Sequence, residues 1–202
     1  MNENDNSKEK FTMLTQRLAQ ALALAIEAHA NQKRKGTNIP YISHLLAVAA
    51  IALEHGADED QAIAALLHDA VEDGGALYAP RIRESFGDRV ADIVDGCTDG
   101  VPEPSGKKEL WAVRKKRYLA YLPEASDDVL LVSGADKLHN ARSIVSDLQA
   151  IGLAVFDRFT ATQAQTLSYY DELARIHAQR QTAVARDLRQ TVDQMHRLSG
   201  AA

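Results

Sequence analysis

Apolar residues recur at intervals of three and four along most of the chain, which is the period of an α-helix. The first such segment runs from residue 11 to about residue 31. The polar and basic stretch 32–38 predicts a loop, and Pro40 suits the first turn of a second helix that ends near residue 55. Because no segment shows sustained alternation with period two, the pattern predicts an all-α fold.

The third predicted helix has the clearest start signal in the chain. Asp58 is a suitable N-cap, and Gln61, three residues later, is the matching member of a capping box. This helix carries AIAALLHDAVED and is predicted to continue to Gly74 and Gly75. Two prolines and two glycines predict a loop over 99–108. Further helices are predicted over 81–97, with an interruption at Phe86-Gly87, and over 110–122, 127–148 and most of 156–198.

Length and composition favour a single compact domain, since 202 residues can bury one good core but would divide poorly into two. The polar start predicts a flexible N-terminal tail over 1–10, followed by the domain over 11–178 and a C-terminal helical extension over 179–202. A stripe of apolar residues in that extension either packs on the domain or pairs with a second copy, which would give a homo-oligomer. The stripe consists of Val184, Leu188, Val192 and Met195.

The charge balance and the cysteine count exclude several classes of protein. A net charge of −5 weighs against a nucleic-acid binder, which usually has a basic face. Cys97 is the one cysteine of the chain, so neither an intramolecular disulfide nor a cysteine-based zinc site is available. No apolar run reaches membrane-spanning length. We therefore expect a soluble, cytoplasmic protein with no nucleic-acid or membrane partner.

The end of the third predicted helix concentrates ionisable groups. On a continuous helix, His68, Asp69, Glu72 and Asp73 would lie at roughly 0°, 100°, 40° and 140°, on one face beside an apolar stretch. Burying four such groups is costly unless a cation or mutual pairing compensates. Taken alone, the pattern is equally typical of a solvated helix end in front of two glycines.

Three further features have ordinary interpretations when each is taken alone. His44 in PYISH could be a satisfied surface or core histidine, Asp136 in ADKLHNAR could pair with its neighbour, and Arg34-Lys35 could be a solvated charge pair. Together, His44, His68, Asp69 and Asp136 supply two imidazoles and two carboxylates. This mixed set suits Mn²⁺, Fe²⁺, Co²⁺ or Zn²⁺ and leaves coordination positions for water and a substrate oxygen.

The segments PYISH, LLHDAVED and ADKLHNAR, in this order and spacing, resemble the HD-type hydrolase domain of the RelA/SpoT homologue family. The resemblance spans roughly residues 21–175 and is greatest to the small stand-alone alarmone hydrolases. The loop over 34–44 is one residue longer than in well-known members, and the segment 99–108 has no counterpart. The synthetase half of the long family members has no counterpart in this chain.

The resemblance implies a role for each matched residue. His44, His68, Asp69 and Asp136 would be metal ligands, typically for Mn²⁺, and the acidic pair Glu72 and Asp73 would orient or activate the attacking water. A second group would contact the substrate, a small-molecule nucleotide: Arg34 and Lys35 through base and phosphates, Asn140 through the nucleoside, Ser143 where the family often has threonine, and Tyr169 or Tyr170.

The implied reaction is hydrolysis of the 3′-pyrophosphate of guanosine 3′,5′-bis(diphosphate), or of the pentaphosphate, to GDP or GTP and pyrophosphate. Lys107 and Lys108 are weaker candidates for offsetting phosphate charge. Two alternatives stay open at this point. Another HD phosphohydrolase could act on an adenosine alarmone, on NADPH or on a nucleoside monophosphate, and a module that retains the fold could sense a nucleotide without catalysis.

Overall fold

The structure is a computed structural model that describes residues 12–100 and 109–200. Within these ranges the regular elements are helices, and the one β-type feature is an isolated antiparallel bridge between Lys33 and Pro40. The prediction of an all-α fold is therefore confirmed. The predicted tail over 1–10, most of the loop predicted over 99–108, and the candidates Lys107 and Lys108 lie outside the described residues.

The helices follow one another with short connections. Their bounds are α1 Gln16–Ala28, α2 Ile42–Glu54, α3 Glu59–Leu67, α4 Ala70–Gly74, α5 Tyr78–Phe86, α6 Asp88–Cys97, α7 Trp111–Tyr121, α8 Asp127–Ile151, α9 Gln163–Gln179 and α10 Ala185–Ser199. Two 3₁₀ segments, Leu122–Glu124 and Gly152–Arg158, precede and follow α8. None of the helices in this described part of the chain has the length and hydropathy needed to span a bilayer.

Side-chain caps set several helix starts. The capping box predicted at Asp58 and Gln61 is confirmed, because the Gln61 amide donates to the Asp58 carboxylate and the Gln61 side chain accepts from the Asp58 amide. In α1 the cap is Thr15, whose hydroxyl accepts from the amide of Arg17, so the helix begins later than the predicted residue 11. The second helix likewise begins at Ile42, two residues after Pro40.

The prediction of one continuous third helix is wrong. The chain leaves α3 after Leu67 and enters α4 at Ala70, so His68 and Asp69 lie at the break between them. Asp69 has φ −99° and ψ −2°, outside regular helical values. Because α3 and α4 are separate, the four ionisable groups do not share the single helical face that the sequence suggested.

Helix α8 runs through the centre of the fold and contacts α2, α3, α6, α9 and α10. Its buried positions extend from Val129 to Leu148. Helix α10 packs mainly on α8 and α9, and the stripe Val184, Leu188, Val192 and Met195 is fully buried there. Of the two alternatives for this stripe, the structure therefore favours packing on the rest of the chain over contact with a second copy.

The basic loop between α1 and α2 is a tight, internally bonded turn. The amide of Arg34 donates to the carbonyl of Ile39 at 2.9 Å, and the amide of Tyr41 donates to the carbonyl of Gln32 at 2.9 Å. At its tip Gly36 has φ +73°, and a Cβ there would lie 2.6 Å from Cδ of Arg158. A residue without a side chain is needed for this loop to lie against the segment after α8.

Candidate metal centre and active-site cleft

Four side chains from separate parts of the chain converge in the interior. His44 comes from the first turn of α2, His68 and Asp69 from the break between α3 and α4, and Asp136 from the middle of α8. Nε2 of His44 lies 3.1 Å from Oδ1 of Asp136 and 3.6 Å from Oδ2 of Asp69. Nε2 of His68 lies 3.0 Å from Oδ2 of Asp69 and 3.6 Å from Oδ1 of Asp136. The structure thus brings together all four residues that the sequence predicts as ligands.

The donor atoms of this cluster fit a shared cation. Donors about 2.1 Å from one ion are about 3.0 Å apart at right angles and about 3.4 Å apart at the tetrahedral angle. The four distances above lie close to that range. Both Nε2 atoms are buried, and neither makes a hydrogen bond of acceptable geometry despite the nearby oxygens. Buried nitrogen atoms without a hydrogen-bond partner are the arrangement expected of imidazoles that offer lone pairs to a metal. His44, His68 and Asp136 form a possible metal site, and Asp69 adds a carboxylate oxygen 3.0 Å from Nε2 of His68.

Electrostatics hold the carboxylates in their charged form. Burial alone would raise the pKa of Asp69, but the charge of His68 and the nearby Nε2 atoms of both histidines lower it well below its usual value. Burial would likewise raise the pKa of Asp136, and the Lys137 charge with the two histidines lowers it. Without a cation, the attraction of Asp69 and Asp136 outweighs burial and raises the pKa of His68 well above its usual value, so a bound ion would replace the proton on Nε2. Ionised carboxylates are what a divalent cation requires.

Neighbouring side chains fix the orientation of the two carboxylates. The hydroxyl of Tyr41 donates to Oδ2 of Asp69 at 2.6 Å. The Asn140 amide donates to Oδ1 of Asp136 at 2.6 Å, and the ammonium of Lys137 pairs with Oδ2 of the same residue. Such second partners raise the precision and the affinity of metal sites. Lys137 also lies 5.2 Å from the ring centre of Tyr118.

The histidines are oriented in the same way. Nδ1 of His68 lies 2.8 Å from the carbonyl oxygen of Ala65, one turn earlier in α3. Nδ1 of His44 lies 2.7 Å from Nδ1 of His139 on α8. Burial, followed by the charges of His44 and Arg34, lowers the pKa of His139 to about 4. Tyr41 and His139 received no role from the sequence, although they stand inside the motifs PYISH and ADKLHNAR. The pairing of Asp136 with Lys137, considered from the sequence, is present.

The acidic pair on α4 extends from the cluster toward two different neighbours. Asp73 accepts a hydrogen bond from Nε2 of Gln32 at 2.8 Å and lines the large cavity described next. Oε1 of Glu72 lies 3.5 Å from Nη1 of Arg114 on α7. Arg114 also pairs with Asp99, as does Lys115, and these contacts lower the pKa of Asp99 against the effect of its burial.

A cavity of about 680 Å³ adjoins the cluster. Three of its lining residues, Tyr41, His139 and Asn140, each contact one of the four predicted ligands. The predicted substrate contacts Arg34, Lys35, Asn140 and Ser143 all line this cavity. Within it, Nη2 of Arg34 donates to Oδ1 of Asn140 at 2.6 Å, and the hydroxyl of Ser143 donates to the carbonyl of His139 at 3.0 Å.

A second cavity of about 270 Å³ shares five lining residues with the first: Lys35, Asn140, Ile144, Phe159 and Tyr170. Tyr169 lines this second cavity rather than the large one, whereas Tyr170 lines both. Its walls carry four cationic side chains, of which the sequence had singled out one for substrate binding. They are Lys35, Arg114, Lys115 and Lys137. Arg114 and Lys115 stand in a run, KKELWAVRKK, that the sequence alone suggests to be either a solvated basic face or an edge of the substrate cleft.

Comparisons with known proteins agree with this geometry. The family model for the HD domain matches residues 21–175, more than half of the chain. The cluster of buried histidine and aspartate side chains therefore lies within a helical domain of a known class. The chain belongs to the HD domain family.

Two relatives and one solved structure show which members of the HD domain family this chain is similar to. The guanosine-3′,5′-bis(diphosphate) 3′-pyrophosphohydrolase MESH1 of Xenopus tropicalis is 38% identical over 130 residues, which are 63% of this chain and 69% of MESH1. The guanosine-3′,5′-bis(diphosphate) 3′-pyrophosphohydrolase of Aquifex aeolicus is 37% identical over 129 residues, 63% of this chain but 18% of that protein. The structure of a metazoan orthologue of SpoT that hydrolyses ppGpp superposes with a TM-score of 0.72 at 24% identity, covering 95% of this chain and 100% of the other. The fold is therefore shared with that small stand-alone protein.

Proposed function

We propose that this protein is a Mn²⁺-dependent hydrolase that removes the 3′-pyrophosphate of guanosine 3′,5′-bis(diphosphate), or of the pentaphosphate, to give GDP or GTP and pyrophosphate. The observation that carries the proposal is the convergence of two imidazole nitrogens and two carboxylates at 3.0–3.6 Å beside a cavity of nucleotide size. The names of the relatives support the choice of substrate.

His44, His68, Asp69 and Asp136 would hold the divalent ion. A bound ion would lower the pKa of a water molecule and polarise a phosphoryl oxygen. The nitrogen and oxygen donors suit Mn²⁺, and no thiolate takes part that would favour a closed zinc site. Tyr41, Lys137 and Asn140 would keep the carboxylates in place, because each bonds to one of them.

The acidic pair on α4 would orient the attacking water and accept its proton. Glu72 or Asp73 would accept one proton as the water oxygen bonds to the phosphorus attached to the ribose 3′ oxygen. The bond between that phosphorus and the 3′ oxygen breaks, the 3′ oxygen takes a proton, and pyrophosphate leaves. Asp73 reaches the large cavity, and Arg114 would hold the Glu72 carboxylate in place.

The two cavities share lining residues, and together they would accommodate a nucleotide with phosphate groups on both sides of the ribose. Arg34, Lys35, Asn140 and Ser143 line the cavity next to the cluster. Arg34 and Lys35 would contact the base and phosphates there, and Asn140 would contact the nucleoside. The cations around Tyr169 in the second cavity would offset the charge of the other diphosphate, in a protein whose net charge is −5. The proposal also keeps the expectations of a cytoplasmic location, a domain over 11–178 with an extension over 179–202, and a homo-oligomer, whose contact would use a surface other than the buried stripe of α10.

The experiment is an assay of pyrophosphate release from guanosine 3′,5′-bis(diphosphate) with and without added Mn²⁺. We expect turnover that requires Mn²⁺ and falls by more than 100-fold in Asp69→Ala and in Glu72→Gln, on the order of what a lost acid–base group costs. Asp92→Ala, on the exposed face of α6, is the matched control and should retain activity. Wild-type turnover no faster than that of Asp69→Ala would refute the proposal.

The same assay with a nucleotide panel separates the alternatives. An adenosine alarmone, NADPH and nucleoside monophosphates should each be hydrolysed more slowly than the guanosine substrate. A faster reaction with one of them would make the protein a phosphohydrolase of different specificity. Tight nucleotide binding with no turnover at any divalent metal concentration would identify a sensing module.

A further inference from the structure

His44 and His139 form a direct contact between two imidazole rings. Their Nδ1 atoms are 2.7 Å apart, a hydrogen-bond distance, and the ring centres are 4.8 Å apart. His44 is only 1% exposed, whereas His139 is partly exposed at the cavity. One of the two nitrogens must carry the hydrogen and the other must accept it.

The chemistry of the cluster decides which nitrogen carries it. Nε2 of His44 faces the carboxylates of Asp69 and Asp136, and it must offer its lone pair there if His44 is a metal ligand. A neutral imidazole has a single N–H, which then resides on Nδ1 of His44. His44 is therefore the donor, Nδ1 of His139 is the acceptor, and the hydrogen of a neutral His139 resides on its own Nε2.

The ring of His139 also lines the large cavity. The other ring nitrogen of His139, Nε2, does not face His44. It makes no hydrogen bond to any residue that the structure describes. Asn140, next in the chain, lines the same cavity and bonds to Asp136. Consecutive residues of α8 thus reach from the cavity to two of the predicted ligands.

We propose that His139 is a positioning residue with two separable roles: its Nδ1 fixes the tautomer and orientation of His44, and its Nε2–H donates a hydrogen bond to an oxygen of the nucleotide in the cavity. This inference rests on the proposed function, because it needs a metal at His44 and a nucleotide in the cavity. It adds a residue that links the two, so that metal binding sets which nitrogen of His139 can donate to the substrate.

Two amide substitutions separate the roles, since asparagine places a polar atom near Nδ1 and glutamine places one near Nε2. His139→Asn keeps an acceptor for His44 and loses the donor to the cavity. His139→Gln keeps a donor toward the cavity and loses the acceptor. His139→Leu removes both. His55→Asn is the matched control, because His55 lies at the C-terminal end of α2 and bonds to the carbonyl of Ile51.

The first measurement is the affinity for Mn²⁺ by calorimetric titration with no nucleotide present. We expect His139→Gln and His139→Leu to lose roughly 10- to 100-fold in affinity, as for other partners of metal-bound histidines, and His139→Asn to stay within about threefold of wild type. The second is binding of guanosine 3′,5′-bisphosphate, which lacks the 3′-pyrophosphate leaving group, to the Mn²⁺-saturated protein. Here His139→Asn should bind roughly tenfold more weakly, and His139→Gln should stay close to wild type.

Nitrogen-15 spectra of the Zn²⁺-loaded, histidine-labelled protein give a readout independent of activity. We expect a proton on Nδ1 of His44 and on Nε2 of His139, with scalar coupling between the two Nδ1 nuclei. A proton on Nδ1 of His139, or wild-type Mn²⁺ affinity in His139→Gln, would overturn the inference and leave the proposed function standing. A wild-type protein that binds no divalent ion would overturn both.

Discussion

Asn140 connects the loop between α1 and α2 to the cluster of predicted metal ligands through two short hydrogen bonds. Its side-chain amide donates to Oδ1 of Asp136 at 2.6 Å and its carbonyl accepts from Nη2 of Arg34 at 2.6 Å. Both partners are charged, and hydrogen bonds to charged groups contribute roughly 1.5–3 kcal/mol each. Asn140→Ala removes both bonds without adding a competing group.

The two lost hydrogen bonds of Asn140→Ala should affect two different measurements, the affinity for Mn²⁺ and the KM for the nucleotide. The bond to Asp136 holds a predicted ligand, so its loss should weaken Mn²⁺ binding by roughly 10- to 100-fold. The bond to Arg34 orients a predicted substrate contact, so its loss should raise the KM for the nucleotide by a similar factor. If both bonds act in the transition state, kcat/KM falls by roughly 10²- to 10⁴-fold, since 1.4 kcal/mol corresponds to a factor of ten.

The assay is pyrophosphate release at saturating Mn²⁺, combined with calorimetric titration of the metal. Arg34→Lys keeps the charge and loses the planar fork, so it should raise KM and leave Mn²⁺ affinity unchanged. Asn38→Ala removes an exposed asparagine of the same loop, bonded to Lys33, and is the matched control. Wild-type Mn²⁺ affinity together with wild-type kcat/KM in Asn140→Ala would refute this reasoning.

Two further predictions concern the packing of α8, α9 and α10. Burial, and then the Lys137 charge, lower the pKa of His177 from 6.5 to about 4. Between these values the unfolded chain binds a proton that the folded chain does not, so stability falls as pH decreases, by about 2 kcal/mol at pH 5 relative to pH 8. In urea unfolding with chelator present, His177→Asn should lose that much of the pH dependence, and an unchanged dependence would contradict the assignment. A Cβ at Gly134 would overlap Cγ2 of Val184 and lie 2.8 Å from Cε1 of His177, so Gly134→Ala should cost about 1–3 kcal/mol and lower the melting temperature by roughly 2–12 °C. A melting temperature equal to or above that of wild type would show that the helices can separate at no cost.

Local signals in the sequence were sufficient where the local chain determines the structure. The capping box at Asp58 and Gln61 was readable because both partners lie within one turn, and the glycine after Phe86 marks the junction of α5 and α6. The same box recurs at Thr162 and Gln165 at the start of α9, where the sequence carries the signal equally plainly.

The break between α3 and α4 has no such local mark. No glycine or proline stands at His68 or Asp69, and the surrounding residues suit a helix, so periodicity predicts an uninterrupted one. The contacts at the break come from elsewhere: the Tyr41 hydroxyl is 28 residues away from Asp69, on the approach to α2. Such long-range bonds override a regular local pattern and cannot be found from spacing along the chain.

The candidate site was predictable in its residue types and not in its supporting contacts. Metal-ligand chemistry and the family resemblance single out His44, His68, Asp69 and Asp136, and the fold brings them together. His139 contacts His44, which lies 95 residues away in the chain, and Arg114 on α7 approaches Glu72 on α4. Because both contacts join distant segments, the periodicity of the sequence does not predict them. The cations of the second cavity come from the α1–α2 loop, α7 and α8, so the sequence left the basic run on α7 as either a solvated face or an edge of the substrate cleft.

The most direct test is a crystal structure of the wild-type protein grown with Mn²⁺, with data collected for the anomalous signal of manganese. We predict a single strong peak in each chain, with Nε2 of His44, Nε2 of His68 and one oxygen each from Asp69 and Asp136 at about 2.0–2.3 Å. No peak at saturating Mn²⁺, or a peak bound by other residues, would contradict the claim that these four side chains form the catalytic metal centre.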